Sequence, residues 1–208
     1  MADINDMFND DDFFTEIDTP KKTTQPKFIP FGNGEYFGHI SDVETREVNT
    51  HKGKHKAMVI NYKITVDEAN SEKTYEYRWG NETMTTKGSV YVGQKIRACG
   101  VFRYLIPKEG DTFTSNPEGN KSYGYFCEAL GIKLPTVEKE INGEKVKVKS
   151  LPTIDVSKIE GMPVVGVVGE GKPYTNKNGK QITPKEVKFV KSWAGGIKKE
   201  VSNVDIPF

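Results

Sequence analysis

The sequence predicts a mainly β protein, with one short helix and extended hairpins set between flexible N- and C-terminal tails. Three observations lead there. From Gly34 onward apolar residues recur with period two in runs of strand length, and Asn142-Gly143 and Asn178-Gly179 carry the Asn-Gly signature of hairpin turns. A hydrophobic fraction of 35% beside a charged fraction of 28% suits one barrel or sandwich core, not a large enzyme. The 208 residues then divide into an acidic tail over 1–30, one domain over 31–193 and a second tail over 194–208.

The elements follow in order. Tyr36, Gly38 and Ile40 alternate with polar positions and the run continues through Val43 to Val48, a long bent first strand in which Gly38 allows either close backbone approach or curvature. The basic loop His51-Lys52-Gly53-Lys54-His55-Lys56 turns the chain into a second strand, Ala57 to Val66, with Met58, Ile60, Tyr62, Ile64 and Val66 on one face and Val59, Asn61, Lys63 and Thr65 on the other. After a polar turn, Thr74 to Trp79 places Tyr75, Tyr77 and Trp79 on one face and Glu76 and Arg78 on the other. These three strands are expected to form a meander. Val90-Tyr91-Val92 reads as strand, whereas Ile96 to Leu105 fits either a strand or a short helix broken at Gly100. Tyr123 to Leu130 reads as a short helix stopped by Gly131 and Pro135, placed to plug one end of the core. Val137–Ile141 and Glu144–Val148 form an exposed hairpin around Asn142-Gly143, and Met162–Val168 pairs with Val187–Trp193 across a loop holding Asn178-Gly179.

The formal charge of +1 conceals a segregation. Met1 to Pro20 carries Asp3, Asp6, Asp10, Asp11, Asp12, Glu16 and Asp18 with no Lys or Arg, so the other 22 acids face all 30 basic residues. A basic body with an acidic tail suits polyanion binding, the tail competing for the same groove; the alternative is a solubilising leader. No apolar run approaches the roughly 20 residues that span a bilayer, and Met1-Ala2-Asp3-Ile4-Asn5-Asp6 is acidic where a signal peptide is basic. The expected location is the cytoplasm. Cys99 and Cys127 lie in apolar contexts without metal spacing and read as buried free thiols.

Catalytic chemistry is sparse. His39, His51 and His55 are the only histidines, and the four-residue spacing of His51 and His55 falls in a glycine- and lysine-rich loop, not on a helix face that would hold a metal. Gly166 to Lys172 matches the glycine and lysine spacing of a phosphate-binding loop, yet Pro173 stands where Ser or Thr must bind magnesium. Neither an enzyme nor a cofactor is expected.

Aromatic and basic residues do accumulate together. Aromatic rings stack on exposed bases while lysines follow phosphates, which binds single strands without sequence preference. The nucleic-acid-binding candidates are Lys52, Lys54 and Lys56 in the basic loop; Tyr75, Tyr77, Arg78 and Trp79; and Tyr174, Lys177, Lys180, Lys188 and Trp193 near the C-terminal strands. The Tyr75, Tyr77 and Trp79 stripe equally fits a buried core face, and Tyr62 and Phe102 read as core.

Asp205-Ile206-Pro207-Phe208 resembles the terminal tip of bacterial single-stranded DNA-binding proteins, in which a final Phe enters an apolar pocket on the partner and its α-carboxylate pairs with a basic residue. The body is similar to phage-encoded single-stranded DNA-binding proteins of the OB-like type over Phe31 to Trp193. The likeness rests on the opening Gly34-Glu35-Tyr36 strand, the helix end Ala129-Leu130-Gly131 and the closing Gly161-Met162-Pro163-Val164-Val165-Gly166 strand with its Asn-rich hairpin. That resemblance implies an OB-like β-barrel that coats single-stranded DNA in replication, recombination or repair, without a cofactor. It also implies recruitment of replication or recombination proteins through Asp205, Ile206, Pro207 and Phe208, and leaves homo-oligomerisation open. The competing expectation is an interaction module without nucleic-acid affinity, such as an inhibitor that mimics DNA through its acidic N-terminal tail and occupies host replication and repair proteins through its C-terminal tip.

Overall fold

The computed structural model describes residues 28–50, 55–104, 117–141 and 143–200. Lys52, Lys54, both termini and the Asp205–Phe208 peptide lie outside them. The described chain is mainly β, with antiparallel pairing between all of its named strands.

The framework is β1 (Gly34–Thr50), which pairs along its first half with β9 (Pro163–Glu170) and along both halves with β2 (His55–Val66). A register shift between Ser41 and Glu44 bends β1, and Asp42 takes the left-handed φ of 50° there. Its carboxylate is clasped by Lys63 at 2.8 Å and Lys95 at 2.7 Å, which hold it below the ordinary carboxylate range. Gly38 does allow close approach: a Cβ there would lie 2.4 Å from Ile64 Cγ2 and 2.5 Å from the Thr65 carbonyl oxygen.

On the far edge of β2 lie β5 (Lys95–Arg97) and β6 (Val101–Tyr104), and on the far edge of β9 lies β12 (Lys185–Ser192), giving the order β12-β9-β1-β2-β5. Of the Ile96 to Leu105 stretch, the described part to Tyr104 is thus strand and not helix, turned at Gly100 with φ 82°. The sheet curls until its ends touch. Ala98 forms a parallel bridge with Val187, and the Cys99 amide donates to the Val187 carbonyl at 3.1 Å.

The third expected strand behaves differently. β3 (Thr74–Trp79) does not extend a meander from β2 but pairs with β4 (Glu82–Lys87) in a separate hairpin. Asn70 redirects the chain: its amide donates to the Phe37 carbonyl and accepts from the Phe37 amide, pinning the turn after β2 against β1. Val90-Tyr91-Val92 is likewise not a strand, since Gly88–Tyr91 forms a 3-10 turn that buries Tyr91, its hydroxyl donating to the Pro30 carbonyl.

α1 (Pro117–Ala129) begins earlier than expected and stops as expected. Gly131 at φ 71° donates to the Glu128 carbonyl and Ile132 to that of Cys127, the paired bonds of a glycine stop. α1 covers the core with Tyr123, Phe126 and Cys127, beside β6 and β12. Burial pushes the Cys127 thiol up to about 11. Cys99, by contrast, is exposed, next to the buried Ala98, and its thiol donates to the Lys188 carbonyl at 3.3 Å.

β7 (Thr136–Ile141) and β8 (Glu144–Lys149) form the expected hairpin, with Gly143 at φ 81°. A single helical turn, α2 (Val156–Ile159), precedes β9. Between β9 and β12, β10 (Tyr174–Thr175) and β11 (Gln181–Ile182) make the second expected hairpin. The segment Gly166 to Glu170 lies in β9, so the apparent phosphate-loop spacing falls largely on a strand. Contacts run beyond Phe31 and Trp193: Ile29 packs on the core, and the Lys199 amide donates to the Gly161 carbonyl at 3.0 Å.

Candidate nucleic-acid interface

Where α1, β6 and β12 converge, a cleft of about 730 Å³ opens over the core. Tyr62, Phe126 and Val190, all buried, lie at its base. Phe102 and Tyr104 come from β6, Tyr125 from α1 and Phe189 from β12, while Lys188, Lys191 and Cys99 also line it.

Local sequence explains each placement. On β12, Val187 and Val190 are buried, and a register shift between Val187 and Phe189 turns both Lys188 and Phe189 to solvent. Phe189 remains 53% exposed, a large apolar ring outside the core. On α1, Tyr123, Phe126 and Cys127 mark the core stripe, continued by Leu130 just past its end, and Tyr125 falls off it, 58% exposed, with Lys121 Nζ 5.9 Å from its ring centroid. Phe102 and Tyr104, two apart on a strand, share a face with ring centroids 6.3 Å apart.

The lysines of the cleft are paired at the surface. Lys188 meets Glu186 at 3.0 Å, and Lys191 meets Glu35 at 2.6 Å, lowering the Glu35 carboxyl below its usual range by hydrogen bonding and charge. Exposed pairs of this kind contribute roughly 0–1 kcal/mol, so a phosphate can replace the carboxylate at little cost.

The sequence candidates separate into groups. Lys188 lines the cleft, and exposed Lys56 precedes Ala57, the register partner of Tyr104. Tyr174, Lys177 and Lys180 are exposed on the β10–β11 hairpin and its turn, which leads into β12. Tyr75 and Tyr77 are not available for stacking. Tyr75 lies on Tyr36 with centroids 4.2 Å apart and donates its hydroxyl to Asn70 and the Glu35 carbonyl; burial raises that hydroxyl to about 12. Tyr77 is buried against its own hairpin, its hydroxyl facing Met84 Sδ at 3.6 Å. Arg78 and Trp79 are exposed where β3 leaves the core, Trp79 by 49%, and neither lines the cleft. Trp193 packs on Phe37 and His39, with centroids 5.0 and 5.5 Å away, stays half-exposed and does not line the cleft.

Phe102, read as core, is only half-buried, and Tyr104, Tyr125 and Phe189 escaped the sequence reading. Two signals marked them: the broken alternation Val187-Lys188-Phe189-Val190, and the position of Tyr125 outside the helical stripe. Among the described residues no group of three His, Cys, Asp or Glu side chains is placed to hold a metal, and no helix is long and apolar enough to cross a membrane. The chain matches no protein-family model, no curated protein and no solved structure.

Proposed function

We propose that the protein is a non-enzymatic, sequence-tolerant single-stranded DNA-binding protein of the replication, recombination or repair kind, phage-encoded and built on an OB-like barrel. The observation that carries this reading is the aromatic cleft, where Phe102, Tyr104, Tyr125 and Phe189 meet Lys188 and Lys191 beside a sheet edge. Rings with exposed faces next to exchangeable lysines are the chemistry a single strand requires, each stacked base contributing roughly 1–3 kcal/mol. The barrel reading is supported by a long bulged first strand shared by two neighbours, by a helix placed between β6 and β9, and by the parallel contact of Ala98 with Val187 between the ends of the sheet. Recruitment of partner proteins by Asp205, Ile206, Pro207 and Phe208 rests on the sequence alone.

Fluorescence anisotropy with labelled oligo-dT tests the reading. Binding is expected at micromolar protein or below and to fall steeply with salt. Phe189→Ala and Tyr125→Ala should each weaken it by roughly 5- to 100-fold, the loss of one stacked base. Absence of binding at low salt, or full affinity in the Phe189→Ala, Tyr125→Ala double variant, would overturn it.

A further inference from the structure

We infer that the cleft is also a docking site for this chain's own segment Asp10-Asp11-Asp12-Phe13-Phe14, which occupies it when no nucleic acid is bound. The consequence for DNA affinity rests on the function proposed above; the docking does not. The cleft leaves Tyr125 and Phe189 more than half exposed around an apolar base, with Lys188 and Lys191 on its lining. Those lysines are paired with Glu186 and Glu35, and Glu128 lines the cleft in its pair with Lys149, so the complement is a peptide with adjacent apolar rings whose clustered carboxylates exchange with Glu186 and Glu35. The chain contains such a peptide: Phe13 and Phe14 directly follow three aspartates, inside a 1–20 stretch with seven acids and no Lys or Arg. The other terminal segment, 201–208, has Phe208 but only Asp205 as an acidic side chain, so charge favours the front segment.

The entry point of the chain fits as well. The described chain starts at Phe28, five residues before Asn33, whose side-chain oxygen accepts from Lys185 Nζ at 2.8 Å. Lys185 opens β12, and Lys188 lies three residues further along that strand, about 10 Å at strand rise. Phe14 is 14 residues from Phe28, a tether of at most about 50 Å. The segment reaches the cleft with length to spare. Tethering holds it near millimolar effective concentration, so a weak intrinsic affinity keeps the cleft covered. Added phosphates displace the aspartates from the same lysines, which makes the segment a competitor of single strands and not of all ligands alike.

Cys99 provides a direct readout, because it is exposed in the cleft whereas Cys127 is buried in the core. In the full-length chain without DNA, the rate of N-ethylmaleimide addition to Cys99 is compared with that of a full-length variant carrying Asp10→Asn, Asp11→Asn, Asp12→Asn, Phe13→Ala and Phe14→Ala. The variant should react at least threefold faster, the unsubstituted chain should speed up with salt, and Cys127 should stay unreactive in both, reporting an intact core. Equal Cys99 rates overturn the docking. So does a rate in the unsubstituted chain that rises on dilution, which would assign the occupant to a second copy. If the rates differ but neither protein binds oligo-dT, the docking stands and the proposed function fails; if both bind, the variant should bind at least threefold tighter.

Discussion

Asn70 determines more of the local architecture than its small polar side chain suggests. It is fully enclosed, and its Oδ1 accepts from the Phe37 amide and the Tyr75 hydroxyl, each at 2.9 Å, while its Nδ2 donates to the Phe37 and Asp67 carbonyls, each at 2.7 Å. One side chain therefore joins the turn after β2 to β1 and to the ring that β3 contributes. Replacing it removes partners from several enclosed polar groups, and each such loss costs about 1–3 kcal/mol. Asn70→Ala should lower stability by about 2–4 kcal/mol, seen as a shift in the urea midpoint with the slope unchanged. Gly38 acts through space instead of bonds. Its missing Cβ would meet the Thr65 backbone, which cannot swing aside as a side-chain end can, so Gly38→Ala should cost about 1–3 kcal/mol by the same measurement. A loss below 0.5 kcal/mol in either variant would mean that the surrounding turn relaxes freely.

At the scale of elements, the two exposed hairpins make a controlled comparison. In β7–β8 the register sets Glu138 opposite Lys147 and Glu140 opposite Lys145, so opposite charges face each other across the ladder. On β10–β11, Lys177 and Lys180 lie in the turn, exposed, with no carboxylate partner among the described residues, and the hairpin feeds directly into β12. Lys177→Gln with Lys180→Gln should weaken oligo-dT binding and reduce its salt slope by about 1.4, roughly 0.7 for each lost phosphate contact. Lys145→Gln with Lys147→Gln should change neither. The opposite pattern would move the interface to the β7–β8 hairpin. These hairpins, β2 and the stop of α1 were legible in the sequence because their signals are local: Asn-Gly turns, period-two alternation, and Gly131 after a helical stripe. The pairing of β3 was not, since Asn70 decides it through bonds to a strand 33 residues earlier. The cleft was hidden for the same reason, because Phe102, Tyr125 and Phe189 become neighbours only when β6, α1 and β12 converge.

The whole molecule is built around a cluster of phenols as much as around aliphatic packing. Tyr36 stacks on Tyr75, Phe31 stacks on Tyr91 at 4.7 Å, and Tyr36 and Tyr91 meet edge to face at 5.7 Å, while Tyr123 enters the same continuous core from α1. Burial pushes the hydroxyls of Tyr75, Tyr91 and Tyr123 up from an ordinary value of 10.0 to about 12, and those of Tyr36 and Tyr62 higher still. The sign follows from the neutral form being the one the fold prefers. Each phenol's contribution is complete below its unfolded pKa near 10 and is lost as pH rises through its folded value, where unfolding gains an anion that the core cannot solvate. Because these residues come from β1, β2, β3, the 3-10 turn and α1, their ionisation cannot be confined to one element. Stability to urea should therefore hold level up to about pH 10 and then fall steeply towards pH 12. In an ultraviolet titration, the phenolate absorbance of the buried set should appear in the same step as the loss of β-sheet circular dichroism. If those tyrosines instead ionise well before the sheet signal changes, the aromatic end of the core opens independently, and the cooperative unit is the sheet under α1 without the β3–β4 hairpin.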